Sequence, residues 1–299
     1  MRRFALALAL MTPIMAAPLM AAAAEPAKTP SAAEILAASP ASDWRPIDPA
    51  DTVYLDLPAG RVIIELAPDF APNHVANIKA LARAHYFDGA YVVRSQDNYV
   101  VQWSQPDEKK PLGAAQKTLK AEFDRPAAGL PFTQLPDADT YAPQTGFSGS
   151  FGAARDPAEG RAWLTHCYGL VGAGRDNDAD SGGGTELYAV TGSAPRNLDR
   201  NVTLVGRVVQ GMEVLSVMPR GTGDLGFYEK PEQRIPITRI VVAADLPPAE
   251  QVKLETLRTD SPTFAQLIEA RRHRHDDWYK YSSGHTDVCS VLVPVRPLK

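Results

Sequence analysis

Short runs of β-favouring residues recur along this 299-residue chain, each bounded by turn-forming residues. The clearest pair, 52–57 and 61–66, is separated only by Pro58-Ala59-Gly60. Runs of this length with such a connection are typical of antiparallel hairpins. The chain also holds 21 glycines and 26 prolines, a share above the usual value of roughly 12%. Both observations favour a mainly β fold over a helical bundle.

Further runs predict strands over 90–94, 99–103, 168–173, 186–191, 202–209 and 234–243. Apolar residues at helical spacing after Pro72 predict a helix over 72–86, and a second, short helix is predicted over 211–218. Residues 104–167 show no sustained period and predict a long loop insertion, with short ordered pieces around 118–123 and 162–167.

The last part of the chain has a different character. Beyond Pro247-Pro248 the pattern predicts helices over 249–258 and 263–281. Residues 245–299 are therefore predicted to form a C-terminal helical extension. His273 and His275 lie two residues apart and point away from each other in a helix, so no metal site is predicted.

Residues 1–24 have the three parts of a secretory signal peptide. Two arginines precede an apolar stretch, 4–20, and four alanines follow it. Cleavage predicts a periplasmic or secreted protein that has no membrane contact, while an uncleaved membrane anchor is the alternative. Residues 25–51, rich in alanine, proline and serine, predict a linker with at most one short helix.

Charge and cysteine content limit the possible partners and covalent links. The formal net charge of −4 leaves no basic surface for phosphate neutralisation, so a nucleic-acid partner is disfavoured. The chain holds two cysteines, Cys167 and Cys289. In an oxidising compartment they can form a disulfide, which would pin the C-terminal tail to the end of the insertion. Two buried free thiols are the alternative.

The order of these elements resembles the cyclophilin-type peptidyl-prolyl isomerases, and most of all their exported bacterial branch. The resemblance covers about residues 52–244, and its most specific pieces are Tyr91 to Gln102 and Val202 to Leu215. It implies a closed eight-stranded antiparallel β-barrel capped by two helices. In this chain the barrel would carry the insertion at 104–167 and the extension at 245–299.

The activity implied by the resemblance is rotation about X–Pro bonds during the folding of exported proteins, with proline-containing polypeptides as substrates. Such a bond crosses a barrier of ~18–20 kcal/mol without any bond being made or broken. A fixed cationic donor beside an apolar slot stabilises the twisted amide, and no cofactor is needed. A catalytically weak or inactive peptide-binding or chaperone module on the same barrel is the alternative. The oligomeric state is left open.

The same resemblance assigns roles to individual residues. It implies that Arg94 is the catalytic arginine and that Gln102 holds this arginine and the substrate backbone. Glu186 stands where the family has a glutamine, and its carboxylate could pair with Arg94 and partly quench it. Asn197 and Val202 replace a tryptophan and a histidine of many members. The remaining substrate-binding residues are the pocket walls Tyr99, Val100, Tyr188 and Leu198 and the backbone segment Gly174 and Arg175.

Overall fold

The computed structural model describes residues 29–107 and 109–298. In chain order the first eight strands are β1 (Trp44–Pro46), β2 (Thr52–Leu57), β3 (Gly60–Leu66), β4 (Tyr91–Ser95), β5 (Val100–Ser104), β6 (Arg125–Pro126), β7 (Thr133–Gln134) and β8 (Gln144–Ser148). The others are β9 (Phe151–Asp156), β10 (Arg161–Leu164), β11 (Leu170–Ala173), β12 (Glu186–Val190), β13 (Leu204–Gln210), β14 (Ile235–Pro236), β15 (Arg239–Val242), β16 (Leu254–Leu257) and β17 (Val295–Pro297). The α-helices are α1 (Ala32–Ala37), α2 (Pro72–Arg83), α3 (Met212–Ser216) and α4 (Pro262–Arg272).

The predicted signal peptide, 1–24, lies outside the described residues. Within the two described ranges, no helix has the length and apolar character needed to cross a membrane.

A nine-stranded antiparallel sheet dominates the described chain, in the order β14-β4-β5-β12-β11-β13-β3-β2-β15. The mainly β prediction is therefore confirmed. The predicted hairpin is β2 and β3, paired from Thr52 opposite Glu65 to Leu57 opposite Gly60. Gly60 closes the turn at a φ of +145°, a conformation that glycine adopts without steric cost.

The closed eight-stranded barrel is not confirmed, because the sheet has nine described strands and curls into an open half-barrel. Its edge strands, β14 and β15, pair with β4 and β2 and not with each other. The single strand predicted over 234–243 supplies both edges. It divides after Pro236, which has no N–H to donate to a ladder. Two residues later the N–H of Thr238 already donates to the Asp56 carbonyl on the opposite edge, at 2.9 Å.

Helix α2 covers one side of the half-barrel and closes its apolar core. The helix begins with Pro72 in its first turn, and its Val75, Ile78 and Leu81 side chains are buried against the sheet. The same core holds Trp103 of β5, which is fully buried. Helix α3 lies within the segment predicted as a short helix, 211–218, and packs against β3.

On the outer face of the sheet, Tyr54 of β2 and Ile63 of β3 pack against Leu254 of the terminal segment. The outer face of β4, β5 and β12 borders an open cleft.

The prediction of a long loop over 104–167 is wrong, although β10 overlaps the ordered piece predicted around 162–167. This segment contains a second antiparallel sheet, in the order β6-β10-β9-β8-β7. Its strands are short and include residues that favour turns in isolation. Gly146 of β8 is an example of a turn-favouring residue that the strand pairing requires. A Cβ at this position would lie 2.1 Å from the Thr133 carbonyl oxygen of β7. A glycine that permits close strand approach looks like a turn residue in sequence.

The two terminal segments also differ from their predictions. The linker predicted over 25–51 contains, from residue 29 onward, the one short helix that the prediction allowed, α1, and a strand that it did not, β1. Strand β1 pairs with β16, and β16 pairs with β17, in a three-stranded sheet. The helix predicted over 249–258 is wrong because tertiary pairing of β16 overrides its local pattern. The helix predicted over 263–281 ends at Arg272, so 245–299 is a mixed segment rather than a helical extension.

One buried carboxylate ties these parts together. Glu65 of β3 accepts hydrogen bonds from Arg207 Nε (3.0 Å), Arg45 Nη2 (2.7 Å) and Ser150 Oγ (2.7 Å). We call these four residues the Glu65 clasp. Arg207 also donates to Thr256 Oγ1 of β16 at 2.9 Å. The clasp therefore joins the large sheet, the terminal sheet and the β8–β9 turn.

Burial alone would raise the pKa of Glu65, but the charges of Arg207 and Arg45 more than offset it and hold that pKa below its ordinary value. The carboxylate therefore stays ionised inside the protein.

A disulfide joins Cys167, just before β11, to Cys289 in the C-terminal segment. It closes a loop with a sequence separation of 122 residues. In the chain-entropy account, a cross-link over a loop this long stabilises the native state by about 4–5 kcal/mol. The disulfide and the Glu65 clasp thus fasten the same terminal segment to the large sheet.

Replacing Glu65 with glutamine should destabilise the protein by about 3–5 kcal/mol, because the buried Arg207 and the partly exposed Arg45 lose their shared counter-charge. Since the pKa of Glu65 is depressed on folding, its contribution is present at neutral pH and lost as pH falls through the carboxyl range. Chemical denaturation at neutral and acidic pH measures both effects. Glu250→Gln, a half-exposed carboxylate 3.9 Å from Arg239, is the control. Equal stability of the two variants would contradict the role of the clasp.

Candidate active site

An open cleft of about 770 Å³ lies on the outer face of the large sheet. All nine residues assigned from the resemblance line it. They come from β4, β5 and β12, from the β4–β5 turn and from the loops that follow β11 and β12. These residues are Arg94, Tyr99, Val100, Gln102, Gly174, Arg175, Glu186, Tyr188 and Leu198.

Arg94 lies at the end of β4, where the pairing with β5 shifts register between Val92 and Arg94. Its guanidinium is held on every nitrogen. Nη1 donates to Gln102 Oε1 at 2.9 Å, Nε donates to the Leu225 carbonyl at 2.7 Å, and Nη2 donates to Gln96. A planar donor array anchored at three points has few orientations open to it, which is what a preorganised electrostatic site requires.

Two aromatic rings surround the same guanidinium. Its Cζ lies 5.5 Å from the ring centroid of Tyr99 and 5.2 Å from that of Phe227. Cation–π attraction at these distances favours the charged form of the group. Burial lowers the pKa of Arg94 somewhat, an effect that Tyr99 and Glu186 oppose. Arginine remains protonated after such a shift, so the cleft keeps a permanent cation.

Glu186 lies at the start of β12 and contacts Gln102 rather than Arg94. The Gln102 side-chain amide donates to Glu186 Oε1, and within the described residues no ion pair joins Glu186 to Arg94. The direct pairing considered from sequence is therefore replaced by an Arg94–Gln102–Glu186 chain. Burial raises the pKa of Glu186, with Asp176 adding to the effect while Gln102 and Arg94 oppose it.

An apolar slot lies beside the guanidinium. Val100, Val190 and Tyr188 form a small buried cluster, against which Tyr99 and Val202 pack. The ring of Tyr188 occupies space left by Gly172 on β11, where a Cβ would lie 2.4 Å from the phenol. Leu198 enters the cleft from a 3₁₀ turn, Arg196–Leu198. A proline ring is of a size and polarity that this slot can receive.

The segment after β11 forms another side of the cleft. The N–H of Gly174 donates to the Glu186 carbonyl at 2.8 Å. A Cβ at Gly174 would lie 2.9 Å from Glu186 Cγ, so a larger residue there would displace the Glu186 side chain. The guanidinium of Arg175 turns back onto the carbonyls of Asn201 (2.9 Å) and Asp176 (2.6 Å). Its side chain therefore holds the loop, and both Gly174 and Arg175 line the cleft.

Sequence reasoning missed Leu225 and Phe227, which contact Arg94 from an irregular segment. Leu225 has a φ of +54°, rare for a residue with a side chain, and its carbonyl accepts from Arg94. No periodic pattern marks such a segment, so no sequence signal could have found these two residues. Of the three departures from the family pattern, Glu186 and Val202 line the cleft, and Asn197 is not among its lining residues.

Comparison with known proteins agrees with this geometry. The model of the family described as "Cyclophilin type peptidyl-prolyl cis-trans isomerase/CLD" matches residues 52–242. A Brucella suis protein named as a probable peptidyl-prolyl cis-trans isomerase is 28% identical over 192 residues, covering 64% of this chain and 83% of the relative. A Brucella abortus protein of the same name is 27% identical over the same shares.

Among solved structures, the cyclophilin AquaCyp293 from Hirschia baltica superposes with a TM-score of 0.68 at 27% identity. The match covers 85% of this chain and 92% of that one, so the likeness extends beyond the segment that the family model matches. The family model spans residues 52–242, which is more than half of the sequence. The chain therefore belongs to the cyclophilin-type peptidyl-prolyl cis-trans isomerases.

Proposed function

We propose that this protein accelerates rotation about X–Pro bonds during the folding of exported proteins, with Arg94 as the catalytic residue. The observation that carries the proposal is the anchored guanidinium beside an apolar slot. Gln102 and the Leu225 carbonyl hold that guanidinium at 2.9 and 2.7 Å. Its positive charge and remaining donor capacity face a cleft wide enough for an extended peptide.

The proline ring of the substrate would enter the slot between Tyr188, Val100 and Leu198. The peptide backbone before the proline would lie along Gly174 and Arg175. As the X–Pro bond twists, resonance is lost and the prolyl nitrogen becomes a better acceptor, which Arg94 stabilises more than it stabilises the planar ground state. No bond is broken, so neither a nucleophile nor a cofactor takes part.

Export is supported by two independent features. The pattern of residues 1–24 is that of a secretory signal peptide. The disulfide between Cys167 and Cys289 is of a kind that persists in oxidising compartments and is rare in the cytosol. Clients that reach such a compartment unfolded contain X–Pro bonds whose isomerisation is slow enough to limit folding.

A second candidate is a peptide-binding module with weak catalysis. Glu186 favours it, because its carboxylate already accepts the Gln102 side-chain N–H that could otherwise bind the substrate backbone. In this alternative the slot still takes proline, but the twisted state gains little over the planar one.

Removal of the charge separates these two candidates. Arg94→Ala should lower kcat/KM for a proline peptide by about 10²-fold, the typical cost of losing one donor to a developing charge. Arg94→Lys should restore little, because an ammonium cannot reproduce the planar array. A protease-coupled assay measures turnover, and peptide titration measures affinity, which should fall much less. Arg83→Ala, on the exposed face of α2, is the control. Wild-type turnover no higher than that of Arg94→Ala would support the binding module.

Glu186→Gln should raise kcat/KM at pH 8 by about two- to fivefold, the effect of removing one partly screened charge near the guanidinium. Because the pKa of Glu186 is raised, protonation at falling pH should produce the same gain in the wild type. The two pH profiles should therefore converge on the acidic side. Glu232→Gln, an exposed carboxylate outside the cleft, should follow the wild type. Parallel profiles for wild type and Glu186→Gln would exclude quenching by Glu186.

The exported location has its own test. Intact mass of the protein recovered from the periplasm or medium should show a chain that begins near Glu25. Alkylation under denaturing, non-reducing conditions should add no mass, because both cysteines are in the disulfide. A mass that retains residues 1–24, or two alkylated thiols, would contradict the exported, oxidised form.

A further inference from the structure

A buried hydrogen-bond network lies behind the apolar slot. The Tyr188 hydroxyl, on the side of the ring away from the cleft, lies 3.0 Å from His166 Nε2. His166 is 0% exposed and belongs to the end of the segment predicted as an insertion. Burial raises the pKa of Tyr188, so the phenol keeps its proton and can donate it in a hydrogen bond.

The opposite edge of the imidazole contacts Asp199. The carboxylate accepts from the His166 backbone N–H at 2.9 Å and lies 3.3 Å from the ring Nδ1. Since a carboxylate only accepts, Nδ1 carries a proton, and in the neutral ring Nε2 is left to accept from Tyr188. Asp199 thereby selects the tautomer that can hold the phenol.

Asp199 is in turn fixed by an arginine and a second carboxylate. Arg196 Nε donates to Asp199 Oδ2 at 2.7 Å, and its two terminal nitrogens donate to Asp139, each at 3.0 Å. The side chains of Arg196 and Asp139 are only 5% and 6% exposed. Leu198 lies between Arg196 and Asp199 in the sequence. The same network therefore positions two walls of the slot, Leu198 and Tyr188.

We propose that His166 is a positioning residue that sets the shape of the proline slot by holding the Tyr188 ring, an inference that rests on the proposed function. His166 does not line the cleft and acts only through Tyr188. Asp139 and His166 both belong to 104–167, so this segment supports the slot from behind. The absence of a side chain at Gly172 leaves space for the Tyr188 ring. The hydrogen bond to His166 fixes the position of the ring within that space.

The test compares variants of the two partners. His166→Leu and Tyr188→Phe should each raise KM and weaken proline-peptide binding by about three- to tenfold, the cost of one buried hydrogen bond and its unpaired partner. kcat should change less, because Arg94 is untouched. The two losses should not add in the double variant, since both polar groups are then gone. His166→Gln, whose amide reaches the Nε2 position, should recover binding, whereas the shorter His166→Asn should not.

His74 supplies a matched control. It is a buried histidine paired with a carboxylate, Glu122, at 2.7 Å, and it lies on α2 outside the cleft. His74→Leu should cost stability and leave KM unchanged. If His166→Leu raises KM no more than His74→Leu does, or if the losses of His166→Leu and Tyr188→Phe add fully, the positioning role is wrong. If His166→Leu does not fold, Tyr188→Phe and His166→Gln still decide, and unchanged KM in Tyr188→Phe overturns the proposal.

Measuring peptide affinity as well as turnover distinguishes failure of this inference from failure of the proposed function. A wild type that binds proline peptides without isomerising them contradicts only the proposed function, because the affinities of the variants still test His166. A wild type that neither binds nor isomerises contradicts both. Normal activity in every His166 variant contradicts the positioning role alone.

Discussion

The buried carboxylate of Glu65 is the constraint on which the architecture depends. An ionised group at 4% exposure is costly unless its neighbours replace water, and here Arg207, Arg45 and Ser150 do so. These partners come from different sheets, so the charge is satisfied only when all of them are assembled. The disulfide between Cys167 and Cys289 fastens the same terminal segment a second time. The cleft therefore stands on a scaffold that is held at two independent points.

That rigidity matters because the proposed chemistry depends on position alone. A prolyl isomerase makes no bond, so its gain must come from a charge and a slot held in a fixed relation. Arg94 is fixed by side-chain and main-chain acceptors, and the slot is fixed by Gly172 beneath Tyr188 and by the network behind it. Residues far from one another in sequence thus fix the position of the Arg94 guanidinium relative to the apolar slot.

Sequence alone predicted the hairpin of β2 and β3, helix α2 and most strands of the large sheet, because each has a strong local pattern. The cleft residues, such as Arg94 and Tyr188, came from family resemblance, and the structure does bring them together. The sheet of 104–167 and strand β16 could not be predicted, because their pairing is set by long-range contacts that outweigh short, glycine-containing patterns. The His166–Tyr188 contact could not be predicted either, because no sequence pattern indicates that these two segments meet.

The central claim is that an anchored Arg94 beside the apolar slot turns proline binding into X–Pro rotation. Two-dimensional NMR exchange spectroscopy on an alanyl-proline peptide with a catalytic amount of protein tests it most directly, since uncatalysed exchange takes tens to hundreds of seconds. The account predicts exchange peaks between cis and trans forms within a sub-second mixing time. Peptide signals that shift on binding without any exchange peaks would contradict it.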